Sequence, residues 1–187
     1  MRRDIKALHD RIGATTIYVT HDQSEALGLS DRIAVFNGGR LQQYDAPEVI
    51  YNSPANRFVA NFVGERGMNF IEGELQMTGG DCRFVAPAID IAVTEPGAQT
   101  ARAASLGIRL EGVRPARDGE TPEALAKVDQ VELSGPDKIV MTTLQGGQDV
   151  TCRTDAMIQV HRGDTLPLVF DRGRLNFFDA ESGDALR

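Results

Sequence analysis

A β-branched apolar run, Thr15-Thr16-Ile17-Tyr18-Val19-Thr20, ends on His21 and is followed at once by Asp22-Gln23-Ser24-Glu25-Ala26. A buried strand that stops at a histidine, with a helix-capping acid directly after it, is how an α/β enzyme presents an imidazole at the carboxyl end of its sheet. That placement aims His21 at a phosphate. An isolated histidine at a strand end also has a plainer role, as a hydrogen-bonded cap or a core side chain. The chain contains no G-x-x-x-x-G-K-[S/T] loop whose amides could cradle a triphosphate, and no apolar strand ending in an Asp-Glu pair to hold magnesium and the attacking water. By these residues alone the chain is short of an active site.

The elements around it follow from local patterns. Ile5, Leu8 and Ile12 fall at helical spacing and Gly13 supplies a left-handed end, which predicts a helix over Met1 to Ile12 covering a sheet. Thr15 to Thr20 reads as a buried parallel strand. Asp22 with Glu25 has the form of a capping box, opening a short helix through Leu29. Arg32 to Phe36 and Arg40 to Tyr44 read as strands joined through Asn37-Gly38-Gly39. Asp45-Ala46-Pro47 opens another helix, Ser53-Pro54 breaks it, and Phe58, Val59, Phe62 and Val63 stripe a further one that Gly64 ends.

At 187 residues, with 41% hydrophobic and 25% charged content, the chain is long enough for one or two packed domains. No apolar run approaches the roughly 20 residues of a membrane span. The first residues carry charges throughout and do not form a secretory signal, so a soluble, cytoplasmic chain is expected. Cys82 and Cys152 lack the spacing of a disulfide framework or a zinc site and read as partly buried thiols. Residues 1–64 hold seven basic and seven acidic side chains; residues 65–187 hold 13 basic and 20 acidic, which accounts for the whole net charge of −7. Texture shifts at the same place, and a domain boundary is expected near Gly64–Gly67.

Beyond it, short runs at Phe70–Gln76, Cys82–Val85, Ile89–Val93, Ser105–Leu110, Ala126–Leu133, Lys138–Leu144, Asp149–Thr154 and Thr165–Phe170 alternate with turn clusters at Thr78–Asp81, Gln145–Gly147 and Arg162–Asp164. That rhythm predicts one or two small barrels. A barrel that binds nucleic acid needs a basic groove with stacking aromatics. This segment is acidic, and Phe70, Phe84, Phe170, Phe177 and Phe178 read as core, so no nucleic-acid partner is expected. His161, beside Arg162 in a turn, is expected to face solvent.

The string from Tyr18 to Asp31, YVTHDQSEALGLSD, closely resembles the switch-histidine segment of ABC transporter ATPases. Gly39 to Tyr51, Pro54 to Gly64 and Met68-Asn69-Phe70 are similar to ATPases of maltose- and glycerol-phosphate-type importers. So are Ser105 to Arg109, Gly163 to Asp171 and Leu175 to Gly183. The resemblance implies an α+β chain: residues 1–64 as the α/β tail of a nucleotide-binding domain, and residues 65–187 as an all-β, OB-like (TOBE) regulatory domain. It implies His21 as a catalytic residue touching the γ-phosphate and positioning the hydrolytic water. It also implies a phosphate loop, signature and Asp-Glu strand end upstream of Met1, so that the parent hydrolyses ATP with magnesium while this chain alone binds neither. Its implied partners are a second copy (a homodimer) and transmembrane permease subunits that hold it on the cytoplasmic face of the inner membrane. Where that family often reads Arg-Pro-Glu-His, this chain has Arg109-Leu110-Glu111-Gly112, and Asn176 stands where a histidine is common. The alternative is a stand-alone OB-like module that senses a small ligand or a partner.

Overall fold

The computed structural model describes residues 2–64, 66–78, 81–93 and 101–186. Two units divide it, Met1–Gly67 and Met68–Arg187. Gly79 and Gly80 of the turn expected at Thr78–Asp81, Met1 of the first helix and Glu65 of the expected boundary lie outside the described residues.

In the first unit, α1 (Arg2–Ile12) ends where Gly13 turns to φ +65° and donates its amide to the His9 carbonyl at 3.0 Å. The strand expected at residues 15–20 does not form: residues 13–20 are neither helix nor strand, with Ile17 89% and Val19 91% exposed. A strand exists only when a neighbour takes its N–H and C=O groups. The described strands of this unit, β1 (Ile33–Asn37) and β2 (Arg40–Asp45), pair with each other. Residues 15–20 have the composition of a central strand and do not join that hairpin. Leu8 and Ile12 of α1 are exposed as well.

What remains of the unit builds a small core of its own. α2 (Gln23–Leu29) is capped by Asp22, and the β1–β2 hairpin turns through Gly38 and Gly39, both at positive φ as a two-residue turn of this hand requires. α3 (Pro47–Asn52) starts on proline, and α4 (Arg57–Phe62) starts where the Asn56 side chain accepts the Val59 amide at 2.9 Å. Val35, Ile50, Val59 and Val63 are buried together, with Leu27, Ile33, Tyr51 and Phe58 against them. The break between α3 and α4 is stitched to β2 by buried Gln43, which donates to the Ser53 carbonyl at 3.2 Å and accepts the Ala55 amide at 2.7 Å.

The second unit is all β. β3 (Asn69–Thr78), β4 (Asp81–Ala86), β5 (Ile89–Val93), β6 (Arg102–Ile108) and β12 (Asn176–Asp179) form one antiparallel sheet in the order β12-β6-β3-β4-β5. β7 (Val113–Pro115), β8 (Ala124–Ser134), β9 (Asp137–Leu144), β10 (Asp149–Asp155) and β11 (Thr165–Phe170) form the other, in the order β10-β9-β8-β11-β7. β7 and β12 are additions to the strands read from sequence. One continuous core fills the unit, with Ile71, Phe84, Leu106, Ile108, Val113 and Leu168 fully buried. Phe84, Phe170, Phe177 and Phe178 lie inside, and half-buried Phe70 meets Phe178 edge-on at 5.7 Å. Both cysteines are free and buried, and burial pushes the Cys152 thiol up to about 12.

Two side-chain amides join β3 to β10 by imitating peptide groups. Asn69 donates to the Thr151 carbonyl and accepts its amide, both at 2.8 Å. Gln148 accepts the Glu72 amide at 2.6 Å and donates to its carbonyl at 3.1 Å. Backbone groups that would otherwise form open edges are thereby satisfied. Leu110–Gly112, where this chain departs from the related pattern, is a tight 3-10 turn in which Gly112 is buried. A Cβ on Gly112 would come within 2.9 Å of the Ile108 side chain.

Candidate functional site

His21 sits on a bend between the irregular segment and α2, and its side chain is exposed. Hydrogen bonds hold the backbone on both sides of it. Asp22 caps α2 by accepting the Glu25 amide at 3.1 Å. In a capping box Glu25 would reach back to the Asp22 amide. Here the Thr20 hydroxyl takes that amide at 3.0 Å and donates in turn to Glu25 Oε2 at 2.9 Å. The Tyr18 hydroxyl donates to the same oxygen at 3.0 Å. That hydrogen bond, reinforced by the carboxylate's charge, holds the Tyr18 phenol above its ordinary pKa. The expected capping box is thus half formed, because a better-placed hydroxyl displaced its second arm.

Anchors further away tie this corner to its own unit. Gln23 Oε1 accepts the Gly64 amide at 2.7 Å, linking the first turn of α2 to the residue after α4. Lys6 of α1 reaches Asp31 at 3.4 Å. Sequence reasoning singled out His21 and missed Tyr18, Thr20 and Gln23 as its supports; the hydroxyl residues just before the histidine were the available signal.

An exposed imidazole on an anchored bend fits the role of one donor to a phosphate oxygen. A triphosphate with magnesium needs further donors, and among the described residues no group of three or more His, Cys, Asp or Glu side chains is placed to hold a metal. In the second unit an open cleft of about 540 Å³ is lined by Ala88, Asp90, Thr121, Glu123 and Arg172, among others. Its charges are already engaged: Glu123 accepts the Phe170 amide at 2.6 Å and meets Arg172 at 3.2 Å, while Asp90 accepts Arg83 Nε at 2.6 Å. His161 is exposed near Asp164, as its turn implied.

Residues 106–178, from β6 into β12, match the TOBE domain family. The whole chain aligns with 52% of the ABC transporter ATP-binding protein YcjV of Escherichia coli O157:H7 at 36% identity over 190 residues. Residues 106–178 thus match TOBE domains, and the chain as a whole is similar to ABC transporter ATP-binding proteins. An sn-glycerol-3-phosphate import ATP-binding protein, UgpC of Cupriavidus pinatubonensis, is 37% identical over 196 residues, covering 98% of this chain and 52% of that protein. The chain therefore spans about half the length of the curated relatives it matches. Among solved structures, the cytoplasmic molybdate-binding protein ModG aligns with 58% of this chain and 94% of its own at 15% identity and a TM-score of 0.48. The OB-like TOBE domain and the helical segment ahead of it make the fold α+β. No helix among the described residues is long and apolar enough to cross a membrane.

Proposed function

We propose that this chain is the carboxyl-terminal, regulatory and dimerising part of the ATP-binding subunit of a solute importer for a sugar or a glycerol-phosphate-like molecule. In this reading His21 touches the γ-phosphate of ATP and helps position the attacking water, while the phosphate loop, signature and magnesium-binding acid come from sequence outside this chain. The observation that carries it is the exposed His21 on a braced bend, in a chain alignable end to end with ABC transporter ATP-binding proteins. Preorganised donors aimed at developing charge are usually the largest single catalytic contribution, and removing one costs about 10²-fold or more in turnover. Magnesium would neutralise phosphate charge in the complete site, and the chain by itself would hydrolyse nothing.

Two partners belong to this reading. Permease subunits would hold the protein at the cytoplasmic face of the inner membrane. A second copy of the chain would pair with it, and the apolar surface at Leu8, Ile12, Ile17 and Val19 supports self-association. The decisive experiment is His21→Ala in the full-length ATP-binding protein. Hydrolysis should fall about 10²-fold with nucleotide affinity little changed. Near-normal turnover would leave His21 a structural residue.

A further inference from the structure

The geometry assigns Thr20 and Glu25 as positioning residues for the His21 imidazole, an inference that rests on the proposed role of His21. An N-cap needs Asp22 alone, and Asp22 already supplies it at 3.1 Å to the Glu25 amide. Glu25 is then free of the cap and spends its carboxylate on Thr20 and Tyr18, two residues on the far side of His21. Thr20 acts in both directions, accepting from the Asp22 amide at 3.0 Å and donating to Glu25 at 2.9 Å. A hydroxyl can do both, whereas an amine donates only and a carboxylate accepts only.

The result is a closed ring of hydrogen bonds through residues 20, 22 and 25. His21 is the residue it straddles, so the backbone is fixed on either side while the imidazole stays outside, facing solvent. This bracing matters because the segment before it lies outside regular secondary structure. Residues 13–20 form no helix or strand, so side-chain hydrogen bonds, those of the ring and the one from Tyr18, hold the approach to the bend. Positioning within a fraction of an ångström is what such a donor requires, and a misplacement of about 1 Å can cost 10²-fold. Tyr18 adds a second donor to the same carboxylate oxygen and keeps it from turning away.

The test compares Thr20→Val, which keeps shape and removes the hydroxyl, with Thr20→Ser, which restores it. In the chain as it stands, amide hydrogen exchange read by NMR should speed up several-fold at Asp22 in the Val variant and return to the original rate in the Ser variant. Exchange in the β1–β2 hairpin should not change and serves as the folding control. In the full-length ATP-binding protein, Thr20→Val should lower kcat by about tenfold or more without raising KM for ATP, and Thr20→Ser should recover it. Unchanged Asp22 exchange in the Val variant overturns the ring. Faster exchange with normal kcat, while His21→Ala is slow, overturns the positioning role and leaves the reading of His21 intact. Normal turnover in His21→Ala overturns both.

Discussion

The segment at residues 13–20 and the strand β10 present opposite answers to the same problem, a stretch of extended chain with backbone groups to satisfy. β10 pairs with β9 along one side, and on the other the Asn69 side chain occupies both the amide and the carbonyl of Thr151. Its inward residues Val150 and Cys152 are buried in the core. Residues 15–20 are as β-branched as any strand in the molecule, yet Ile17 and Val19 stand almost wholly in solvent. Composition sets the willingness to be a strand, and partners decide whether one forms. The second unit carries its partners within itself. In the first unit, residues 15–20 pair with no strand among the described residues.

That contrast can be broken by graded substitutions followed in chemical denaturation. Phe84→Ala empties a fully buried site in the core of the second unit and should cost about 3–5 kcal/mol. Asn69→Ala leaves the Thr151 amide and carbonyl without their partner and should cost about 1–3 kcal/mol. Val19→Ala should change stability by no more than about 0.5 kcal/mol, since the side chain has little burial to lose. A Val19→Ala cost comparable to that of Phe84→Ala would show that the segment is packed and would dissolve the contrast.

Sedimentation reads the exposed face of the first unit in a second way. If the exposed face of the first unit is what a second copy covers, the full chain should self-associate more strongly than a version beginning at Met68. Equal association of the two would move any dimer contact into the TOBE domain, and a monomeric full chain would remove the second copy from the account.

Much of the fold was legible because its signals are local. Gly38-Gly39 and Pro47 announce a turn and a helix start through their own backbone chemistry, and the alternation of the long strands is visible without any partner. β7 and β12 were not legible: one is three residues ending in Pro115, the other four residues, and each becomes a strand only by pairing with β11 or β6. At residues 15–20 the sequence signal was strong and the outcome different, because no local pattern tells whether a sheet is there to receive the strand. The candidate site shows the same division. His21 stood out by its position after an apolar run, and Glu25 by its spacing from Asp22. That Glu25 would serve Thr20 and Tyr18 instead of the Asp22 amide depends on the path of the chain before the helix, which spacing does not encode.

In the proposed function this chain supplies one braced histidine to a phosphate and draws the rest of the nucleotide site from further sequence. Isothermal titration of the purified chain with Mg-ATP checks this. No saturable binding is expected in the micromolar range, because a single exposed imidazole cannot hold a triphosphate against water. Saturable micromolar binding at one nucleotide per chain would contradict it and place a complete nucleotide site within these residues.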